Sequence, residues 1–210
     1  GALALVYELL WIRRFAAVFG ATTPATAATL IAVFLGFTIG NLVLGNYAAR
    51  MRRPLRVYGL LELGVGLSAL LVEPLVTLYG LVYPALFQAF SGSPIGFTAA
   101  NTALVVVAIF IPTFLMGGTI PVLGQALIVE QRKLGVLAGG LYAANTFGAT
   151  LGALSVPFFW LPKLGATISY GVCVALSVLV GLIAWALDHG NAISIEPGTN
   201  ARAKNERPDV

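Results

Sequence analysis

Along the chain, long charge-free apolar runs alternate with short polar turns. A helix crosses the hydrocarbon core of a bilayer in about 20 apolar residues, whereas the strands of a membrane barrel are alternating segments of about ten. In hydrocarbon each backbone N–H and C=O must find its partner within the protein, so these runs predict helices. They fall near 1–20, 25–48, 56–79, 99–127, 135–160 and 166–187. The expected fold class is all-α, a polytopic membrane bundle of about six transmembrane helices over 1–187. A polar tail over 188–210, with Gly190, Pro197, Gly198, Asn200 and Pro208, has too little apolar content to fold alone.

One apolar stretch breaks the pattern. Gly80 to Phe97 (GLVYPALFQAFSGSPIGF) is aromatic and uncharged but interrupted by Pro84, Gly92 and Pro94. It predicts a segment lying in the outer interface and not a span. Pro112 and Pro121 flank Gly117 and Gly118 in the fourth helix. A proline removes a hydrogen bond and clashes with the preceding turn, so a kink or break is expected there.

Composition strengthens the membrane reading: 59% of residues are hydrophobic and only 10% charged, against about a quarter charged in a soluble domain. The formal charge of +4 does not indicate a nucleic-acid partner, because the basic residues sit in short turns beside apolar helices and not along one solvated stripe. Arg50, Arg52, Arg53 and Arg56 join the second and third helices, Arg132 and Lys133 join the fourth and fifth, and Arg202, Lys204 and Arg207 lie in the tail. With six helices all three clusters share one side. The excess of basic residues in cytoplasmic loops then predicts a multi-pass protein of the inner (cytoplasmic) membrane with both termini cytoplasmic. The chain begins at Gly1 inside apolar sequence, without a cleavable signal pattern, and further residues are expected upstream.

Two helices carry ladders of small residues at every fourth position: Ala28, Ala32, Gly36 and Gly40 in the second, Gly140, Ala144, Gly148 and Gly152 in the fifth. Such a ladder lets a neighbouring backbone approach closely, which is how helices associate where lipid supplies no hydrophobic drive. These two helices are expected to be the most tightly packed. A loose echo between Thr38–Ile39 and Thr119–Ile120, each followed by a basic turn and a small-residue helix, suggests a repeated packing design.

Charge at membrane depth costs roughly 2.5 to 3.5 kcal/mol on insertion scales and is usually retained for a reason. The candidates are Glu8, Arg13 and Arg14 in the first helix and Glu62 and Glu73 in the third. Glu8 and Arg13 are five apart, which misses the favourable spacing of three or four. Pairing of Glu62 with an arginine is one option. Snorkelling of Arg13, Arg14 and Glu73 to the interface is the other. Glu62, well inside its helix, is the foremost candidate for a buried carboxylate. Asn41, Asn46 and Asn145, with Thr38 and Thr146 beside them, have interhelical hydrogen bonding as their default role and substrate binding as the alternative.

Several chemistries drop out. The one histidine, His189, cannot supply paired axial haem ligands or a zinc site, and the one cysteine, Cys173, cannot form an intrachain disulfide. No phosphate-binding loop, dinucleotide fingerprint or Ser/His/Asp set is present. No catalytic residue, cofactor or metal site is expected.

The blocks ALVYELLWIRR at 4–14, FLGFTIGNLVLGNYAARMRRPLRVYGLLELGVGL at 34–67, FLMGGTIPVLGQAL at 114–127 and LYAANTFGATLGAL at 141–154 resemble the membrane portion of bacterial spermidine-synthase-like proteins. In that family, helices similar to half of a major facilitator transporter precede an aminopropyltransferase domain. The resemblance implies a half-facilitator bundle. Nothing after Asp188 resembles the catalytic domain, so polyamine synthesis by this chain is not expected. GNYAARMRRP at 45–54 also resembles the facilitator loop between the second and third helices, with Ala49 where an acidic residue is usual.

The leading functional expectation is a non-catalytic membrane subunit or anchor that packs with other membrane subunits or a second copy of itself, with lipid around it. The alternative is a small-solute or polyamine transporter-like protein acting as a dimer. The sequence shows no polar groups that visibly converge from several helices, which favours the anchor.

Overall fold

The computed structural model describes residues 1–127 and 134–190, so the Arg132–Lys133 turn and the tail from 191 lie outside the described residues. The elements in chain order are α1 (Ala2–Phe19), α2 (Thr23–Ala48), α3 (Pro54–Ala69), α4 (Val72–Ala89), α5 (Pro94–Leu127), α6 (Leu134–Ser155), a π-helical segment (Val156–Leu164) and α7 (Gly165–Gly190). Local sequence explains several boundaries. The Thr22 hydroxyl accepts from the Ala25 N–H at 3.4 Å and Pro24 sits in the first turn of α2; Pro54 opens α3. Both are favoured helix starts, since the first-turn N–H groups have no partner inside the helix.

Four helical stretches are long and apolar enough to cross a membrane: Thr23–Ala48, Pro54–Ala89, Pro94–Leu127 and Gly135–Asp188. They mark a membrane protein. Three expectations change. First, α1 is not among the four, because Glu8, Arg13 and Arg14 crowd its eighteen residues with charge. Second, Gly80–Ala89 is helical, with Pro84 accommodated inside α4, and α5 starts at Pro94 instead of near 99. The rings of Tyr83, Phe87 and Phe97 pack together where α4 turns into α5. Third, α5 continues unbroken from Pro94 to Leu127 through Pro112 and Pro121.

Close backbone approaches give the helix directions. Along α2, Gly36 abuts Thr113, Gly40 abuts the Phe114 carbonyl and Gly45 abuts Pro121. Both numbers rise together, so α2 and α5 run parallel, and α3 with α4 together return the chain once. Gly59 meets Gly181 and Trp185, whereas Gly66 meets Val174 and Val178; α3 and α7 therefore run antiparallel. Ala2 lies against Gly148 and Gly152 of α6, and Tyr7 and Trp11 of α1 contact Tyr170 of α7.

The π-helical segment was not foreseen. Pro157 and Pro162 remove two N–H donors from the nine residues Val156–Leu164, which weakens the ordinary four-residue ladder. The segment ends at Gly165, whose φ of 71° lies in the left-handed region that glycine adopts without a Cβ clash.

The two ladders have different fates. Ala28, Ala32, Gly36 and Gly40 are all buried, and α2–α5 is the most extensive helix contact. A Cβ at Gly36 would strike the Thr113 hydroxyl and one at Gly40 the Phe114 backbone. On α6, by contrast, Gly140 and Ala144 are exposed, and only Gly148 and Gly152 pack, against the start of α1. Four-residue spacing defines a face of a helix but not what covers it, so the expectation of equally tight packing for the fifth helix is corrected. The main core gathers around α1: Tyr7, Trp11 and Phe15 join Val33, Val65, Ala69, Val105, Ile109 and Cys173.

Candidate functional site

Six helices contribute to one polar cavity of about 370 Å³. Asn41 comes from α2, Tyr58 and Glu62 from α3, Thr119 from α5, Asn145 from α6, Ser177 from α7 and Tyr7 from α1. Of the polar candidates named from sequence, Asn41, Glu62 and Asn145 are thus brought together by the fold. Among the described residues neither asparagine, nor Asn46, makes a side-chain hydrogen bond, so the default role of interhelical glue does not apply to them. Asn46, Thr38 and Thr146 are exposed and lie outside the cavity.

Glu62 is half-buried and has Tyr58 one turn before it on the same face of α3, where the phenol reaches the carboxylate. Across the cavity the Tyr7 hydroxyl and Ser177 Oγ are neighbours, yet among the described residues neither has a hydrogen-bond partner of good geometry, and both atoms are buried. A buried hydroxyl without a partner costs about 1–3 kcal/mol, and a polar guest or water in the cavity would recover it. The cavity walls include one carboxylate and no basic side chain. Its volume falls within the roughly 300–1,000 Å³ of small-molecule sites. The chemistry available is recognition of a polar or cationic solute by hydrogen bonds and one negative charge.

Glu8 and Arg13 do not join this site. Glu8 is 8% exposed on α1 and forms no hydrogen bond or ion pair among the described residues. Arg13 is exposed. The option of a Glu62–arginine pair is also set aside, because Arg14 pairs with Glu73: its Nε lies 3.0 Å and 3.2 Å from the two carboxylate oxygens and its Nη2 3.0 Å from Oε2. Both side chains are over a third exposed, so the pair contributes no more than about 1 kcal/mol.

Tyr7, Tyr58 and Ser177 escaped the sequence reading. Tyr58 and Glu62 are four apart, a signal that was available; Tyr7 and Ser177 look like ordinary members of apolar helices, and only the packing of α1 on α7 gives them a common cavity.

A second set of contacts closes the bundle above the cavity. Tyr7 stacks on Trp11 at 5.4 Å and meets Tyr170 edge-on at 5.7 Å. The Trp11 N–H donates to the Tyr170 hydroxyl at 3.2 Å, and that hydroxyl donates to the Ala69 carbonyl at 2.6 Å. Compared with known proteins, the chain matches no family model, no curated protein and no solved structure.

Proposed function

We propose that the chain is one lobe of a transporter-like membrane unit, which binds a small cationic solute, a polyamine in the first instance, in the Glu62 cavity. The observation that carries this reading is the convergence of Asn41, Glu62 and Asn145 with the hydroxyls of Tyr7, Tyr58, Thr119 and Ser177 from six helices. The absence of visible convergence was the reason to prefer an anchor on sequence alone. A static anchor has no need for a polar cavity in which two buried hydroxyls, those of Tyr7 and Ser177, lack partners among the described residues.

The same reading takes the bundle as six passes in the manner of half a facilitator. Parallel α2 and α5 make α3 and α4 a single pass, and the reversal at Gly165 divides the 54-residue stretch Gly135–Asp188 into two. With α1 this gives an even number of passes, and the Arg50–Arg56 turn lies on the cytoplasmic side of the inner membrane. The resemblance to spermidine-synthase-like membrane domains suggests the polyamine.

The anchor remains the second reading, favoured by one observation: α6 presents Val136, Tyr142, Phe147 and Leu151 uncovered beside Gly140 and Ala144, a face that another membrane subunit or a second copy fits as well as lipid does. The test is uptake of labelled spermidine by proteoliposomes. The transporter reading expects uptake above empty vesicles, reduced by Glu62→Gln. Absent uptake, with a partner protein recovered at fixed stoichiometry from native membranes, supports the anchor.

A further inference from the structure

A second cleft, of about 390 Å³, lies between α1, the start of α4 and the start of α7. It is displaced along the bundle from the Glu62 cavity on every helix they share. On α1 the cavity touches residues up to Tyr7 and the cleft starts at Leu10; on α7 the cavity touches Ser177 and Val180, the cleft Ala166 to Tyr170. The cleft therefore opens at the end of the bundle opposite the Arg50–Arg56 turn.

Its charge is opposite to that of the cavity. Arg13 and Arg14 face Glu73 as the one acidic side chain in the cleft wall. Both oxygens of Glu73 are engaged by Nε and Nη2 of Arg14, and among the described residues neither Nη1 of Arg14 nor the Arg13 guanidinium has an acceptor. Thr167 adds an exposed hydroxyl. The Tyr170 hydroxyl is already committed to Trp11 and Ala69. The remaining wall is apolar, from Leu10, Ala17 and the Trp11 ring. Unspent guanidinium donors suit a phosphate oxygen, because their planar fork matches its geometry. An apolar wall beside them at a helix-bundle end suits the first carbons of an acyl chain.

We infer that this cleft is a binding site for the phosphodiester headgroup of an anionic phospholipid, held by Arg13, the free nitrogen of Arg14 and Thr167. The Arg14–Glu73 pair holds the fork in place, and Arg13 supplies the net positive charge that discriminates against zwitterionic lipid. Neither role depends on what the Glu62 cavity carries.

The experiment uses the full chain with Trp160→Phe and Trp185→Phe, leaving Trp11 as the reporter in the cleft wall, reconstituted in bilayers containing a headgroup spin-labelled anionic or zwitterionic phospholipid of the same acyl chains. The expected result is preferential quenching of Trp11 by the anionic lipid. Arg13→Gln should weaken that preference by about tenfold, the loss of one charge-assisted contact, whereas Arg52→Gln at the opposite end leaves it unchanged. Millimolar inorganic phosphate should not relieve the quenching. Equal quenching by both lipids, an unaltered preference in Arg13→Gln, or relief by inorganic phosphate, which would make this a free-anion site, each overturns the inference. Should the double tryptophan variant lose its helical circular dichroism, native mass spectrometry of the chain with all three tryptophans decides, by whether Arg13→Gln releases one bound anionic lipid.

Discussion

Trp11 and Tyr170, 159 residues apart, are joined by a 3.2 Å hydrogen bond from the indole N–H to the phenol oxygen, and the phenol passes its own proton to the Ala69 carbonyl at 2.6 Å. Three helices meet at this one hydroxyl: α1, α7 and the last turn of α3. It also closes the bundle between the acidic cavity beneath Tyr7 and the arginine cleft above Trp11. Removing it with Tyr170→Phe leaves a buried N–H without its acceptor and a carbonyl without its donor. The expected loss is about 1–3 kcal/mol of stability, read as a lower midpoint in thermal unfolding of the detergent-solubilised protein. A midpoint unchanged from wild type would mean the contact carries no weight.

The two small-residue ladders predict opposite outcomes for the same substitution. Gly36→Ala drives a methyl into the Thr113 hydroxyl and Gly40→Ala drives one into the Phe114 backbone. Each should destabilise by about 1–3 kcal/mol, the range for overpacking a tight contact. At Gly140 a Cβ meets nothing within 4 Å, so Gly140→Ala should be neutral or stabilising by up to about 1 kcal/mol, since alanine is the better helix former. Unfolding titrations of the three variants check the contrast; equal losses at all three positions would show that α6 is packed as closely as α2.

How far the sequence carried this picture can be judged from those ladders. The spacing of Ala28 to Gly40 and of Gly140 to Gly152 is identical, yet one is covered by α5 and the other is largely open. Periodicity reports which residues share a face, while the partner of that face depends on how the other helices are arranged. The same limit governs the cavity. Asn41, Glu62 and Asn145 were visible as polar groups inside apolar runs, but each lies on a different helix, and their meeting is a consequence of tertiary packing. Glu8 and Arg13 looked equivalent to them and point elsewhere. Backbone chemistry sets the remaining differences: Pro84, which predicts a break, is absorbed inside α4, and Pro157 and Pro162 accompany a π-helical segment after α6.

Arg14 and Glu73 offer a smaller test. With both side chains partly in solvent, the double-mutant cycle of Arg14→Gln and Glu73→Gln should give a coupling of about 1 kcal/mol or less, shrinking as salt is raised. A coupling of several kcal/mol, insensitive to salt, would place the pair in a far drier setting than its exposure indicates.

At the other end of the bundle Asp188, 6% exposed, lies 3.6 Å from Nη1 of Arg53, and the Arg56 guanidinium sits 5.6 Å above the Trp185 ring. These contacts tie the end of α7 to the basic turn before α3. Arg53→Ala removes the cation paired with a buried carboxylate, and should cost about 1–3 kcal/mol. Asp188→Asn in the same background should recover part of that loss, because the uncompensated charge is gone; no recovery in thermal unfolding would show that the carboxylate does not depend on Arg53.

Direct binding of spermidine to the solubilised protein, followed by equilibrium dialysis, is the closest approach to the central claim that the Glu62 cavity receives a cation. Wild type should bind at one site per chain, Glu62→Gln should weaken binding by about tenfold or more, and Glu73→Gln, outside the cavity, should leave it intact. Binding that is equally strong in Glu62→Gln, or that is lost in Glu73→Gln alone, contradicts the account.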